Sequence, residues 1–261
     1  MSPAVTGRYV ALGSSMAAGP GIRPAARGAP FGSGRSARNY AHLAAEQLKL
    51  DLVDVTFSGA TTAHVLAERQ RGARPQIEAL DGSEELVTIT IGGNDIGYVP
   101  LLMAASLPAA ARRLPLLGGR LRELFDRDAR ERALDDVGES LHAVGTAVRR
   151  RAPQARIVFV DYLTLLPPEG IPADPLSAEH ADLGRFVGAR LEDSTAAAAR
   201  ATGCEVVRAG QASRHHHPWS SDPWAVGAGW PLPWRPAPFH PNAAGMRAVT
   251  DLILQRAGQT D

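Results

Sequence analysis

Two residues far apart in the sequence could together perform acyl-transfer chemistry. Ser15, which follows Gly13-Ser14, supplies a hydroxyl, and His240, which precedes Pro241-Asn242, supplies an imidazole. A serine hydroxyl is a poor nucleophile unless a base takes its proton, and histidine is the commonest general base in enzymes. If the fold brings the two together, the pair could attack an ester carbonyl and return the proton to the leaving alcohol.

Two further residues could stabilise the negative charge that such an attack creates. Gly59 offers a backbone N–H with no side chain to keep a substrate away, and Asn94 carries a side-chain amide. Together with the backbone N–H of Ser15, these donors could bind the oxyanion of a tetrahedral intermediate, where one donor is typically worth about 3–4 kcal/mol. Each segment also has a plain structural interpretation: the serines and Gly59 as turn residues, Asn94 as a helix cap, and His240 as part of a loop.

The pattern of apolar runs predicts the elements that would position these residues. Short apolar runs alternate with helical patterns, which is typical of a parallel sheet covered by helices. We predict strands at residues 8–12, 52–57, 86–91, 156–160 and 205–207, and helices at 39–48 (with Asn39 as the cap), 62–70, 177–201 and 242–256. The candidate residues follow three of these strands and precede the last helix. Because ligands bind outside the carboxyl ends of the strands in open parallel sheets, the four segments could converge there.

The four segments resemble, in order and context, the four sequence blocks of the SGNH, or GDSL-like, hydrolases. Gly13-Ser14-Ser15-Met16 resembles the first block, Gly-Asp-Ser-x, and Gly59 matches the glycine of the second. Gly92-Gly93-Asn94-Asp95 matches the third block, Gly-x-Asn-Asp, and His240-Pro241-Asn242 matches the last. The blocks span almost the whole chain, and the set is closest to the actinobacterial lipase/esterase branch.

This resemblance implies both a fold and a function. The fold is a single SGNH hydrolase domain over residues 1–261, a flavodoxin-like three-layer α/β/α sandwich with about five parallel strands. The function is that of a serine esterase or lipase with Ser15 as nucleophile, His240 as base, and Ser15, Gly59 and Asn94 as oxyanion donors. Transfer of the acyl group to an alcohol or sugar is an alternative, because the same residues would serve it. A non-catalytic binding module that keeps the fold is another.

Two positions depart from the family pattern. The family's usual Asp before the nucleophile is Ser14 here, so two adjacent serines compete for the role, and the resemblance favours Ser15. The family commonly has an Asp three residues before the histidine, and that position is Ala237 here. Because Ala237 precedes a proline, an extended conformation is favoured, and we predict that its backbone carbonyl accepts the imidazole N–H. Asp222, far upstream in a loop rich in Pro and Trp, is the alternative partner.

The bulk composition limits the partners and the compartment. A chain of 261 residues with 44% hydrophobic and 21% charged residues suits a soluble α/β domain, and its net charge of +1 gives no global field for nucleic acid or an anionic membrane. The single cysteine, Cys204, cannot form an intrachain disulfide, and we find neither a signal-peptide pattern nor an apolar run of membrane length. We therefore expect a cytoplasmic protein that acts on a small-molecule or lipid ester without stable membrane insertion. The oligomeric state is left open.

The remaining features are less specific. His215-His216-His217 could suggest a metal, but consecutive side chains diverge, so we expect a loop and no metal or organic cofactor. The segment 98–117 could form a wall for an acyl chain or pack in the core, and the segment 120–132 is expected to be a solvated helix face. Four tryptophans could line an acyl pocket or pack the long loop that carries them: Trp219, Trp224, Trp230 and Trp234.

Overall fold

A computed structural model describes residues 7–108, 119, 122–230, 232 and 235–258. A five-stranded parallel sheet lies at its centre, with strands β1 (Gly7–Gly13), β2 (Leu50–Asp54), β3 (Glu84–Thr90), β4 (Arg156–Val160) and β5 (Glu205–Val207). The strand order is β2-β1-β3-β4-β5, which is the flavodoxin-like order of a doubly wound sheet. The predicted α/β fold with about five parallel strands is confirmed.

Helices cover both faces of this sheet. The longer ones are α2 (Tyr40–Leu48), α4 (Tyr98–Ala105), α5 (Arg127–Arg151), α6 (Ala178–Ala201) and α8 (Ala243–Gly258). The shorter ones are α1 (Ser15–Ala18), α3 (Thr62–Leu66), α7 (Ala209–Ala212) and a 3-10 turn at Gln76–Ala79. The cap predicted at Asn39 forms, since its side chain accepts a hydrogen bond from the N–H of His42, and Ser177, predicted as the first residue of a helix, caps α6.

Successive side chains along each strand point to opposite faces of the sheet, so the core consists of two buried clusters, one on each face. Val10 and Leu12 of β1 pack in the cluster that holds residues of α4, α5 and α6. Tyr9 and Ala11 of the same strand pack in the cluster that holds residues of α2 and α8. This period of two is what a strand buried on both faces requires. It produces the three layers of the sandwich and leaves the carboxyl edge of the sheet free to hold a site.

Two predicted elements end three or more residues earlier in the structure. The strand predicted at 52–57 is Leu50–Asp54, because the Asp54 carboxylate accepts hydrogen bonds from the N–H and hydroxyl of Thr56 and ends the strand. The helix predicted at 62–70 stops at Leu66, and the chain then turns through an isolated bridge between Gln70 and Ala73. This early ending has a consequence for the site, since it directs the Gln70 side chain toward Ser58.

The structure describes parts of the segments 98–117 and 120–132 and shows how they pack. Leu101 and Leu102 of α4 are fully buried in the core, whereas residues 109–117 lie outside the described residues. The segment predicted as a solvated face contributes to α5, a 25-residue amphipathic helix whose buried side includes Leu134 and Leu141. Residues 120 and 121 of that segment are outside the described part of the chain.

Candidate active site

The candidate nucleophile stands where β1 turns into α1. Gly13 ends the strand with φ +149°, and a Cβ there would lie 2.5 Å from the carbonyl oxygen of Thr90, so only glycine fits this turn. Ser15 is the first residue of α1, where the backbone N–H groups have no partner within the helix. Its Oγ lies 2.7 Å from Nε2 of His240, 225 residues further along the chain.

The two adjacent serines have different partners in the structure. Ser14 is fully buried, and its Oγ lies 3.1 Å from the hydroxyl of Tyr162, which also accepts a hydrogen bond from the N–H of Gly93. Burial raises the pKa of Tyr162 to about 12, so the phenol stays neutral. Ser14 therefore joins the first and third sequence blocks through Tyr162, while Ser15 faces the histidine. Sequence reasoning missed Tyr162, which carries no motif signal of its own.

The partner of the imidazole differs from the one predicted. Nδ1 of His240 lies 2.8 Å from the carbonyl oxygen of Pro238, so the prediction of the Ala237 carbonyl is wrong by one residue. The reason is a tight turn: the Ala237 carbonyl accepts the backbone N–H of His240 itself, at 3.2 Å, and is not available to the ring. Asp222, the alternative, is exposed, and its carboxylate pairs with Nδ1 of His216 at 3.2 Å. The neighbour of the His240 ring is thus a neutral carbonyl.

The backbone around His240 is fixed from both sides. Phe239 is fully buried and has φ +56°, a conformation that only tertiary constraint holds for a bulky residue. Its N–H donates to the carbonyl of Val226, and the N–H of Val226 donates to the carbonyl of His240. Asn242 then donates its side-chain amide to the carbonyl of Pro223 and accepts from the N–H of Gly245. The Asn of the fourth block is therefore an anchor for the histidine loop.

Burial sets the protonation of the base. His240 is buried, and this desolvation lowers its pKa below the ordinary histidine value, although the hydrogen bond to Pro238 opposes the shift. A neutral imidazole whose Nδ1–H donates to a carbonyl presents a lone pair at Nε2. That lone pair faces the hydroxyl of Ser15. The arrangement suits proton abstraction from the serine.

The candidate oxyanion donors keep N–H groups without an acceptor among the described residues. Gly59 has φ +80°, and its N–H, like that of Ser15, donates to no acceptor among the described residues. Gln70 Nε2 donates to the carbonyl of Ser58 at 3.0 Å. Because a trans peptide points its C=O and N–H in opposite directions, this bond also fixes the direction of the Gly59 N–H. Asn94 donates one amide hydrogen to the carbonyl of Ala60 at 2.8 Å, which leaves its second amide hydrogen available.

Two polar side chains, Gln76, which is buried, and Asp95, which is partly buried, hold these segments in place. Gln76 makes two hydrogen bonds to the backbone of Gly13. Its Oε1 accepts the N–H at 2.7 Å, and its Nε2 donates to the carbonyl at 3.0 Å. Asp95 accepts the N–H and hydroxyl of Thr62 at the start of α3. Burial raises the pKa of Asp95, and the bonds from Thr62 oppose that shift. Asp95 belongs to a recognised block, whereas nothing in the sequence signals Gln76, since it stands 63 residues from its partner.

The loop that carries the tryptophans is packed in part by those residues. Trp219 donates its indole N–H to the carbonyl of Asp174, and Trp224 stacks on His216 at 4.0 Å, which supports the packing interpretation for these two. Trp230 is exposed, and Trp234 lies outside the described residues. A separate cavity of about 370 Å³ borders Tyr162 and is lined mainly by Tyr98, the apolar segment 163–168 and the Gly188-Ala189 face of α6.

The part of the chain that the structure describes contains no group of three or more His, Cys, Asp or Glu side chains placed to hold a metal ion. His216 of the histidine triplet is engaged with Trp224 and Asp222, and His217 accepts the N–H of Trp219. Among the helices of the described residues, none combines the length and apolar character needed to cross a membrane.

A serine in contact with a buried histidine of lowered pKa, at the carboxyl edge of a five-stranded α/β/α sandwich, is the arrangement typical of serine hydrolases. Comparison with known proteins points to the same class of enzyme. Residues 11–248 match the profile of the GDSL-like lipase/acylhydrolase family. The chain is 32% identical to Lipase 2 of Streptomyces coelicolor, over 96% of this chain and 85% of that protein. The chain therefore belongs to the GDSL-like lipase/acylhydrolase family, in its actinobacterial branch, and is a carboxylic ester hydrolase.

Solved structures share the fold. The phospholipase A1 of Streptomyces albidoflavus NA297 superposes with a TM-score of 0.79 at 24% identity, over 95% of this chain and 98% of that one. The extracellular lipase of Streptomyces rimosus has the same TM-score and identity, over 96% of this chain and 99% of that one. These structures extend the likeness over nearly the whole length of the chain.

Proposed function

We propose that the chain hydrolyses carboxylic esters through an acyl-enzyme, with Ser15 and His240 as a catalytic dyad. The observation that carries this proposal is the 2.7 Å contact between Ser15 Oγ and His240 Nε2, with Nδ1 of the ring directed at the Pro238 carbonyl. As Ser15 attacks the ester carbonyl carbon, His240 takes its proton and then gives it to the departing alcohol. Water, deprotonated by the same histidine, then releases the acid from Ser15.

The charge of the tetrahedral intermediate falls on the carbonyl oxygen. We assign its stabilisation to the N–H groups of Ser15 and Gly59 and to the free amide hydrogen of Asn94, which supports an oxyanion hole that is held ready before substrate arrives. Lipid esters are within this proposal. The cavity beside Tyr162 could take their hydrocarbon part through its apolar segment 163–168, although Arg185, Glu192 and Arg214 also line it and Ser15 does not. Turnover of a panel of esters with increasing acyl length would define that preference.

The dyad is tested by covalent labelling with a fluorophosphonate, which reacts only with an activated serine. We expect a single adduct that mass spectrometry maps to Ser15, loss of labelling and of turnover in Ser15→Ala, and substantial activity in Ser14→Ala. An adduct on Ser14 would overturn the assignment, and a folded wild-type protein that neither reacts nor hydrolyses esters would overturn the proposed catalysis. Product analysis with an added acceptor alcohol distinguishes hydrolysis from acyl transfer.

A further inference from the structure

Two loops beside the candidate active site expose large apolar side chains. The first, residues 19–39, joins α1 to α2, and the second, residues 213–242, joins α7 to α8; we call them the rim loops. Phe31 of the first rim loop is 93% exposed, and Trp230 and Leu232 of the second are 81% and 38% exposed. Three exposed side chains of this size cost free energy in water, and aromatic residues at loop tips are typical of binding surfaces.

Hydrogen bonds tie both rim loops to the catalytic segments. The carbonyl of Ser33 accepts the N–H of Ser58, next to Gly59, and the carbonyl of Pro20 accepts the N–H of Ala237, three residues before His240. Ser33 lies two residues from Phe31. A surface that binds the tips of the rim loops would therefore be held close to the entrance of the site.

The rim loops have a net positive charge, whereas the rest of the chain has a net negative charge. They contain six arginines and one acidic residue, Asp222, a net of +5, while the rest of the chain has 22 basic and 26 acidic residues, a net of −4. The overall charge of +1 hides this asymmetry. Arg23, Arg27 and Arg235 of the rim loops are exposed and form no ion pair with a described carboxylate. Exposed Arg71 adds to them, since its guanidinium lies against Gly32, beside Phe31.

We propose that the rim loops dock the enzyme onto an anionic lipid surface, with Phe31, Trp230 and Leu232 entering the headgroup region and the arginines binding lipid phosphates. Loops that combine exposed apolar side chains with exposed arginines match the two components of such a surface, hydrocarbon below and negative charge above. Docking would present lipid esters directly to Ser15. The inference thus deepens the proposed esterase function, although binding itself needs no catalysis.

Vesicle binding tests the proposal without catalysis. The Ser15→Ala protein, which leaves lipids intact, is sedimented with vesicles of phosphatidylcholine alone and of phosphatidylcholine mixed with phosphatidylglycerol. We expect tighter binding to the mixed vesicles, weakening as salt is raised. Arg27→Gln with Arg71→Gln should lower partition to the mixed vesicles about 25-fold, from about fivefold per arginine near the surface. Arg150→Gln with Arg200→Gln is the matched control, because both residues are exposed near helix ends that lead into the amino ends of strands.

The contribution of the exposed aromatic residues Phe31 and Trp230 is measured separately. Phe31→Ser with Trp230→Ser should weaken binding to both kinds of vesicle, and the emission of the wild-type tryptophans should shift to shorter wavelength on mixed vesicles but not in Trp230→Phe. In the Ser15-containing proteins, turnover of a water-soluble short-chain ester should be unchanged by these substitutions, while turnover of vesicle lipids should fall.

Several results would overturn docking. These are absence of binding to either vesicle, equal losses in the rim and control variants, and rim substitutions that change only self-association in light scattering. Failure of the esterase proposal would look different, since soluble-ester turnover would then be absent while vesicle binding persisted.

Discussion

His240 has a neutral carbonyl where a triad would place a carboxylate. Its Nδ1 faces Pro238, and Asp222 is occupied with His216 on the surface. A carbonyl fixes the tautomer as a carboxylate does, but it adds no negative charge to stabilise the imidazolium. Burial lowers the pKa of the ring, and the hydrogen bond to Pro238 offsets only part of that shift.

The pH dependence of kcat/KM should therefore report His240 alone. Because the histidine pKa is lowered, activity should rise with pH through one ionisation below about 6.5 and stay high above it. Asp222→Asn should leave both the rate and this profile within about twofold of wild type. In a serine protease triad the equivalent Asp-to-Asn change costs about ten-thousandfold. A collapse of that size in a folded Asp222→Asn protein would show that Asp222 is the third member.

Asn94 allows a second test at the scale of one residue. Asn94→Ala should lower kcat about a hundred- to a thousandfold, because one oxyanion donor is lost. The midpoint of urea unfolding serves as the control, since Asn94 also binds the carbonyl of Ala60. If KM rises while kcat is unchanged, Asn94 binds the ground state only, and its assignment to the transition state is wrong.

The residues that meet at the site follow from sequence motifs, but their supporting contacts do not. Ser15 and His240 were paired by type and order, and the structure places them 2.7 Å apart. The choice between the carbonyls of Ala237 and Pro238 depends on a turn that is closed by Phe239 at positive φ and by Val226, a residue of another segment. Local preference before a proline could not reveal that turn.

At the scale of elements, the two hydrogen bonds from Gln76 of the 3-10 turn to Gly13 of β1, which we call the clamp, hold the turn that precedes Ser15, the proposed nucleophile. Gln76→Glu keeps the shape of the side chain but places a carboxylate oxygen against the carbonyl of Gly13. We expect kcat and the rate of fluorophosphonate labelling to fall at least about tenfold with little change in KM, and stability to fall by about 1–3 kcal/mol. Gln47→Glu, an exposed site on α2, is the matched control. Equal effects in the two variants would show that the clamp does not position Ser15.

Element boundaries were predicted best where local signals act alone. The strands at 156–160 and 205–207 agree with β4 and β5, and the helix predicted at 177–201 differs only in that Ser177 is its cap. The early end of α3 depends on the contact between Gln70 and Ser58, which no periodicity encodes. Most of α5 was missed, because charged residues dominate its sequence and conceal the buried stripe of Leu134, Val137 and Leu141.

At the scale of the whole molecule, charge distribution matters more than total charge. The expectation from a net charge of +1 was that no field would favour an anionic surface, yet the rim loops hold six arginines and a single acidic residue, Asp222. Segregation of this kind is invisible until the topology is known. The cytoplasmic location inferred from the sequence stays a prediction.

Asp161 couples the stability of the whole fold to pH. It directly follows β4 and is 3% exposed. One of its oxygens accepts the N–H of Gly210 at 2.7 Å, and the other has no partner among the described residues. Burial raises the pKa of Asp161 to about 7, against the lowering effect of the Gly210 hydrogen bond, and nearby Glu192 raises it further. The unfolded chain would have the ordinary value of about 3.9.

Between these two values the folded state holds a proton that the unfolded state has released. Stability should therefore fall as pH rises from about 4 to about 7, and the contribution of the protonated carboxyl should be absent above that window. Asp161→Asn stays neutral at every pH and keeps an oxygen for Gly210, so this loss should be missing from its profile. Urea unfolding at pH 5 and pH 8 measures the difference, with equal m-values as the check on two-state behaviour. Wild-type and Asp161→Asn stabilities that change in parallel between these pH values would show that Asp161 is ionised in the folded protein throughout this range.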